Sequence, residues 1–222
     1  MTKVNYKKDK MTYFSILASD GKFHQVVTEN TLGAVRRDYE TSDGKTGVKW
    51  ELIADSIEGK ITALGIYEGD YGKNILIGLG EGDEEVTISL SSSQNFGEDF
   101  MKKLPNIEVE KEVILTPYSF EDSNGKLQRG ISIKQHDEKI LNHYSSYNEK
   151  KKKWESVKGF PTPEGDTKKF DSDDWKAYFI KARKYLLSEF EKHPLFMEEF
   201  ITTEVVAIDE NSDSISPKDI NF

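Results

Sequence analysis

The sequence has no cysteine among its 222 residues. A disulfide framework, a zinc site with thiolate ligands and a cysteine nucleophile are therefore excluded. No apolar run approaches the roughly 20 residues that are needed to span a bilayer. Residues 1–8 are polar and basic and lack the apolar segment of a signal peptide. We therefore expect a cytoplasmic protein without membrane association.

The 40 acidic residues outnumber the 31 lysines and arginines, so the formal net charge is −9 and the isoelectric point is about 5.1. This balance argues against a uniformly basic nucleic-acid binder, although charge can be segregated along a chain. Residues 193–222 hold seven acidic residues and one lysine, which leaves a net charge of −3 for residues 1–192. We interpret 193–222 as a flexible acidic tail and 1–192 as the folded domain. Leu195–Phe200 could extend a helix or contact a partner.

No constellation of catalytic residues is found in the sequence. The four histidines, His24, His136, His143 and His193, have spacings that fit no standard metal site. The glycine-rich residues 78–82 are followed by neither a Gly-Lys-Ser/Thr motif nor a helix start, and Gly-x-Ser-x-Gly is missing. We therefore expect a non-enzymatic protein with neither cofactor nor metal.

The hydrophobic pattern predicts five strands around a short helix. Residues 86–90 alternate between apolar and polar, the other predicted strands are apolar-rich runs, and glycine-rich or acidic turns separate them. The predicted strands are 56–68, 74–79, 86–90, 112–120 and 130–135, and the helix covers 95–104, where Pro105 stops it. A helix between the third and fourth of five strands is the order of an OB-fold, a small antiparallel β-barrel that often binds single-stranded nucleic acid or oligosaccharide. The order alone does not fix the function.

Further elements flank this barrel-like core. Two predicted N-terminal hairpins, 11–28 and 33–53, should pack on the core or extend it, and 138–145 should form one more strand. Residues 147–170 contain a lysine run and several glycines and prolines, which indicates a mobile basic loop. An amphipathic helix is predicted over 172–192, with its apolar face in the core. The fold class is mainly β (α+β), with an OB-like barrel and a C-terminal amphipathic helix.

Binding of a single strand without sequence preference needs cations for phosphates and exposed aromatic rings for bases. Four groups of residues in the sequence combine cationic side chains with aromatic rings. The first, on the second hairpin, is Arg36, Arg37, Tyr39, Lys49 and Trp50; the second, at the first core turn, is Tyr67, Tyr71 and Lys73; the third, on the fourth and fifth core strands, is Tyr118, Phe120, Lys126 and Arg129; the fourth, in the basic loop, is Tyr144, Tyr147, Lys150, Lys151, Lys152, Lys153 and Trp154.

Each aromatic residue could instead be buried in the core. Burial and stacking are equally compatible with Trp50 and Tyr118, whereas Tyr71 beside Gly72 is expected to be exposed and Phe100 buried. The lysine run at 150–153 could equally be an ordinary solvated stretch.

The last residues of the chain carry a resemblance to a known family. Lys218, Asp219, Ile220, Asn221 and Phe222 follow an acidic segment. This ending resembles the tail of single-stranded DNA-binding proteins, whose bacterial members end Asp-Ile-Pro-Phe, with Asn221 here in place of the proline. The remainder of the chain does not match the bacterial family, and a phage-type member is the nearer resemblance, which would place the protein in the host cytoplasm.

The resemblance implies binding of single-stranded DNA during replication, recombination or repair. It also implies that Asp219, Ile220 and Phe222 bind replication proteins such as a polymerase, helicase or primase, and that the tail competes with DNA for the basic groove. An aromatic side chain beside carboxylates suits an apolar pocket with a basic rim. The alternative is a protein-interaction β-domain whose acidic tail mimics nucleic acid. A metal-dependent nuclease is a more distant hypothesis, and homo-oligomer formation is left open.

Overall fold

The computed structural model describes residues 12–41, 44–69, 72–80 and 85–198, and the described part is mainly β. The strands are β1 (Thr12–Leu17), β2 (Lys22–Val27), β3 (Val35–Glu40), β4 (Thr46–Ala54), β5 (Ile57–Gly69), β6 (Gly72–Leu79), β7 (Val86–Ser91), β8 (Glu112–Glu121), β9 (Leu127–Gln135), β10 (Glu138–Lys139), β11 (Ser145–Asn148) and β12 (Lys153–Ser156). The helices are α1 (Asn95–Lys103) and α2 (Ser172–Glu191), with 3₁₀ turns at Leu104–Asn106 and Thr167–Lys169.

Both predicted helices are confirmed, and their ends have local causes. Pro105 lies in the 3₁₀ turn that follows α1, because proline cannot continue the backbone hydrogen bonding of an α-helix. Asp171 caps α2 by accepting the backbone N–H groups of Asp173 and Asp174, while the Asp174 carboxylate accepts the Asp171 N–H. This capping box and the acidic first turn stabilise the start of the helix.

Ten of the described strands form one mixed sheet in the order β10-β9-β8-β5-β6-β7-β1-β2-β4-β3. The five predicted core strands correspond to β5, β6, β7, β8 and β9, and α1 lies between the third and fourth as expected. The two N-terminal hairpins extend the sheet as predicted. They join it through parallel pairing of β1 with β7, whereas the other ladders are antiparallel.

The prediction of a closed barrel is wrong. The core strands lie in the order β9-β8-β5-β6-β7, so closure would require β9 and β7 to pair with each other. Instead β7 pairs with β1, and side chains of α1 occupy the edge of β9. Asp99 Oδ2 accepts the Ile131 N–H at 2.9 Å, and Lys103 Nζ donates to the Ile131 carbonyl at 2.5 Å. Because side chains already bond to the N–H and to the carbonyl of Ile131, neither group is left to pair with a further strand at this position of β9.

The sheet nevertheless curls strongly. The turn between β1 and β2 reaches the far end of β8, where the Ser119 hydroxyl donates to the Ala18 carbonyl at 2.9 Å. Gly21 in this turn has φ +66°, and a Cβ there would collide with the backbone of Tyr118 and Ser119. Only glycine combines the left-handed conformation with so close an approach.

β8 separates from β5 halfway along the sheet. Pairing between them covers Ile57–Lys60, and β8 then continues through Pro117, which has no N–H to donate. Further along β5, the chain after α2 takes the vacated edge. The Leu64 N–H donates to the Leu195 carbonyl and the Met197 N–H donates to the Leu64 carbonyl, both at 2.9 Å. The expected flexible tail, 193–222, therefore begins with a segment that is bound to the sheet.

The core lies between the inner face of the sheet, α1 and the second half of α2. Phe23, Phe100 and Leu115 are fully buried there. On α2 only Ala182, Leu186 and Phe190 are buried, so the predicted core-facing stripe is correct for the second half of the helix alone.

The predictions of a strand over 138–145 and of a loop over 147–170 are wrong in part. The strand expected over 138–145 is reduced to the two residues of β10. The basic loop expected over 147–170 contains the end of β11 and all of β12, which pair as a separate two-stranded sheet. No helix in the described residues is long and apolar enough to cross a membrane.

Candidate nucleic-acid interface

The hairpin of β11 and β12 stands apart from the ten-stranded sheet. Asn148 shapes its turn, because its side-chain oxygen accepts the backbone N–H groups of Lys150 and Lys151 at 3.1 and 3.0 Å. Lys152 completes the turn with φ +50°. The lysine run therefore lies at the tip of an ordered hairpin.

Tyr147 and Trp154 lie directly opposite each other on this hairpin. Their ring centroids are 5.5 Å apart in an edge-to-face arrangement. The two residues are 41% and 66% exposed, although aromatic rings of this size are usually largely buried. An exposed pair of rings is the kind of surface on which unpaired bases stack.

The lysines around these rings pair with two carboxylates, of which Glu149 is exposed and Glu155 is half-buried. Lys151 contacts Glu155 at 2.9 Å, Lys152 contacts Glu149 at 3.1 Å, and Lys153 lies 3.9 Å from Glu155. Hydrogen bonds from Lys151 and Asn148 hold the pKa of Glu155 below its ordinary value. Lys150 has no ion pair within the described part of the chain. Exposed ion pairs contribute little free energy, so phosphate oxygens can replace these carboxylates.

The base of the hairpin is anchored in the core. The Val157 N–H donates to the Tyr144 carbonyl at 3.0 Å. The Tyr144 ring packs against Phe160 and Tyr185, with centroids 5.5 and 5.7 Å away. Burial, together with the charges of Tyr185 and Glu189, raises the pKa of Tyr144 to about 12. Tyr144 is therefore a structural anchor.

The cluster predicted on the second hairpin is divided between the two faces of the sheet. Arg36 pairs with Trp50, whereas Arg37 pairs with Lys49, and neighbouring residues of a strand point to opposite faces. Lys49 Nζ lies 4.8 Å from the centre of the Tyr39 ring on the Arg37 side. Arg36 forms an exposed ion pair with Asp38 at 2.9 Å. Trp50 is half-buried.

Arg37 is bound inside a buried charged network. Its guanidinium contacts both oxygens of Glu51, at 2.8 and 2.9 Å. His24 lies 2.9 Å from Glu51 through Nδ1 and 2.9 Å from Asp20 through Nε2. Burial alone raises the pKa of Glu51, but the hydrogen bonds from Arg37 and His24 outweigh it and lower that pKa. The positive charge of Arg37 is thus compensated within the fold.

The groups predicted on the central strands are less concentrated. Tyr71 lies outside the described residues, and Lys73 is 3.9 Å from Glu68. Tyr118 is half-buried beside exposed Phe120, with ring centroids 5.8 Å apart. Burial and the nearby Asp99 raise the pKa of Tyr118.

The two cations of the third group are not equally placed. Lys126 is exposed in the turn between β8 and β9. The Arg129 Nε donates to the Ser119 hydroxyl at 3.4 Å. Of this group, Lys126 is therefore the more accessible to a phosphate.

Sequence reasoning missed an aromatic cluster at the start of α2. The Trp175 ring stacks on Phe179 at 5.9 Å and also contacts Phe170 and Tyr178. These rings are half-buried and separate from the core. The helical spacing predicts one continuous core-facing stripe, but only the second half of α2 packs on the core, because spacing along a helix does not encode where the helix lies against the sheet.

Asp219, Ile220 and Phe222 lie outside the described residues, so the structure does not bear on them. Within the described residues, no group of three or more His, Asp or Glu side chains is arranged to hold a metal ion. Comparison of the chain with protein-family models, with curated proteins and with solved structures found no match.

Proposed function

We propose that this protein binds single-stranded DNA without strong sequence preference, in the cytoplasm, as a non-enzymatic component of replication, recombination or repair. The observation that carries the proposal is the pair of exposed rings, Tyr147 and Trp154, on a hairpin whose turn holds Lys150, Lys151 and Lys152. Stacking of bases on such rings, combined with lysines for phosphates, is how proteins bind single strands of any sequence.

The order of the core strands, although they do not close into a barrel, supports the same function. An OB-fold uses the face of its second and third strands and the loops between strands one and two and between strands four and five. In this chain those loops follow β5 and β8. They carry Lys73, Lys126 and the undescribed Tyr71.

The acidic tail is proposed to bind partner proteins and to compete with DNA. Residues 199–222 hold six acidic residues and one lysine. Asp219, Ile220 and Phe222 would supply carboxylate and apolar contacts to a replication protein with a basic-rimmed pocket. The phage setting of the family resemblance remains part of this proposal.

An alternative function is a protein-interaction domain whose acidic tail mimics nucleic acid. One observation favours it: Val26 on β2, Val35 on β3 and Ile53 on β4 are 58%, 50% and 40% exposed on the outer face of the sheet. Neighbouring exposed aliphatic side chains are typical of contact surfaces. This alternative predicts affinity for a basic protein and none for DNA.

The test is binding of a fluorescently labelled dT oligomer and of a matching duplex to the full-length protein, followed by anisotropy at low salt. We expect the single strand to bind at least tenfold more tightly than the duplex. Trp154→Ala should weaken binding by about tenfold, since loss of one stacked base costs about 1–3 kcal/mol. Trp154→Phe should retain most of the affinity because it keeps a ring.

Tryptophan fluorescence provides the matched control. Trp50, Trp154 and Trp175 are the three tryptophans of the chain. Quenching by dT should persist in Trp175→Phe and should fall in Trp154→Phe. No binding of the wild-type protein at low salt would rule out the proposed function.

A further inference from the structure

β3 forms one end of the ten-stranded sheet, and no described strand lies on its outer edge. The peptide groups on that edge can be identified. The Thr41 N–H donates to the Lys45 carbonyl toward β4, and successive residues of a strand direct their peptide groups to opposite edges. The N–H and C=O groups of Arg36, Asp38 and Glu40 therefore point away from β4, and no group of the described residues bonds to them there.

The side chains of β3 are arranged symmetrically about Arg37. Arg36 and Asp38 lie on one face and are exposed, with side-chain accessibilities of 57% and 72%. Val35 and Tyr39 lie on the opposite face, together with Arg37 itself. A strand of this kind can be matched against an antiparallel copy of itself.

We propose that a second copy of this chain pairs with β3, antiparallel and about a two-fold axis at Arg37. In this register Arg36 lies opposite the partner's Asp38, twice, and the paired residues exchange backbone hydrogen bonds. Val35 lies opposite the partner's Tyr39, also twice. Opposite-charge pairs and pairs of an aromatic with a β-branched residue are among the combinations that stabilise neighbouring strands.

Neither the charges on this edge strand nor the two Arg37 residues at the axis prevent the pairing. Charged residues commonly protect an edge strand from pairing, but a strand with alternating charge on one face is complementary to itself. The two Arg37 residues meet at the axis, yet each guanidinium is already bound to Glu51 at 2.8 and 2.9 Å in its own chain. Their charges are therefore compensated before the two copies approach.

The test uses charge reversal and reads the molar mass of the full-length protein by light scattering after size exclusion, at about 100 µM. The wild-type chain, 25.4 kDa, should run at twice that mass. R36D and D38R should each be monomeric, because each places like charges opposite each other in both pairs. An equimolar mixture of R36D and D38R should form a dimer again, as should the double variant R36D/D38R.

A matched control reverses an exposed ion pair elsewhere. Lys176 and Asp173 on α2 are 58% and 83% exposed, and K176D should leave the dimer intact. Circular dichroism establishes that each variant is folded. A monomeric wild-type protein, or R36D and D38R variants that fail to dimerise on mixing, would overturn the proposal.

Cysteine cross-linking tests the register, since the chain has no cysteine of its own. Val35 and the partner's Tyr39 would form a non-hydrogen-bonded pair, with Cα atoms about 4.5 Å apart, which suits a disulfide. A mixture of V35C and Y39C should form a covalent dimer on oxidation, and V35C alone should not. Cross-linking of V35C alone would show a different register and overturn the proposed pairing.

Discussion

Glu51 keeps a carboxylate inside the fold because side chains from two different strands contact it. Its side chain is 3% exposed, and Arg37 and His24 contact it from β3 and β2. A buried charge without partners is strongly unfavourable, so the three residues stabilise the fold only together. The network also connects the two N-terminal hairpins through side chains.

We therefore predict that Glu51→Ala lowers the free energy of unfolding by about 3 kcal/mol, because it leaves Arg37 and His24 without their carboxylate. Urea denaturation of the full-length protein measures the change. Glu149→Ala is the matched control, since Glu149 pairs with Lys152 on the surface and is 77% exposed. That control should stay within about 0.5 kcal/mol of the wild type, and equal losses for the two variants would contradict the assigned role.

The pH dependence of stability has a definite sign at this residue. The pKa of Glu51 is lower in the folded chain than its ordinary value. Its ionised form therefore stabilises the fold at neutral pH, and this contribution is lost as the pH falls through the folded-state pKa. Stability curves of the wild type and Glu51→Gln should therefore converge as the pH falls from neutral to below the ordinary pKa of a glutamate. A gap that stays constant would show that ionisation of Glu51 is not involved.

Arg36 and Arg37 show which features of a residue's surroundings can be predicted from the sequence and which cannot. The sequence places both in one cationic cluster, but strand alternation directs them to opposite faces, and Glu51 then binds only Arg37. The opposite orientation of the two side chains could be predicted, because both residues lie on a predicted strand. The contact of Arg37 with Glu51 could not be predicted, since it depends on how the strands pair.

At the scale of elements, the β11–β12 hairpin supplies a local source of positive charge. Replacing Lys150, Lys151 and Lys152 together with glutamine should weaken binding of dT at low salt. It should also reduce the slope of log affinity against log salt concentration by about 2, because each phosphate contact contributes roughly 0.7 for a single strand.

The control for this variant keeps the change in net charge the same. Lys168, Lys169 and Lys176 lie near the start of α2 and are exposed. Replacing them with glutamine should leave the slope within about 0.5 of the wild type. Equal effects of the two triple variants would show that overall charge, and not the hairpin, determines the affinity.

Elements with strong local signals were predicted well. The Asp171 cap, the proline after α1 and the period-2 alternation of β7 each specify structure over a few residues. The hairpin at 145–156 was missed because its lysine run has neither apolar alternation nor a two-residue glycine turn. Its order comes from Asn148 and from the contacts of Tyr144 below it.

At the scale of the whole molecule, the barrel expectation failed although the strand order was correct. Local patterns do not encode whether β7 pairs with β9 or with a strand from the N-terminus. That outcome depends on Asp99 and Lys103, which take the peptide groups of Ile131. These polar residues lie on an amphipathic helix, and nothing in the sequence relates them to a position some thirty residues later.

The tail prediction also belongs to the whole molecule. A truncated chain of residues 1–198 keeps the segment that is bound to Leu64, whereas a cut at 193 would remove it. We expect the truncated chain to bind dT roughly three- to tenfold more tightly at low salt, since a competing polyanion is gone. A full-length variant with glutamine or asparagine at the acidic positions of 199–222 should show the same gain. Unchanged affinity in both variants would exclude competition by the tail.

The side chains of α1 on the edge of β9 have a consequence for assembly. Of the two ends of the ten-stranded sheet in the described residues, the one near β9 has the Ile131 peptide groups capped by Asp99 and Lys103, and it finishes in the two-residue β10. Head-to-tail addition of chains would need both ends, and repeated addition of that kind builds open filaments. When β3 pairs with β3 of a second copy, the one end of the ten-stranded sheet that is open to pairing in the described residues is occupied in both chains. Growth therefore stops at two copies, and an edge strand that could seed aggregation instead closes the assembly.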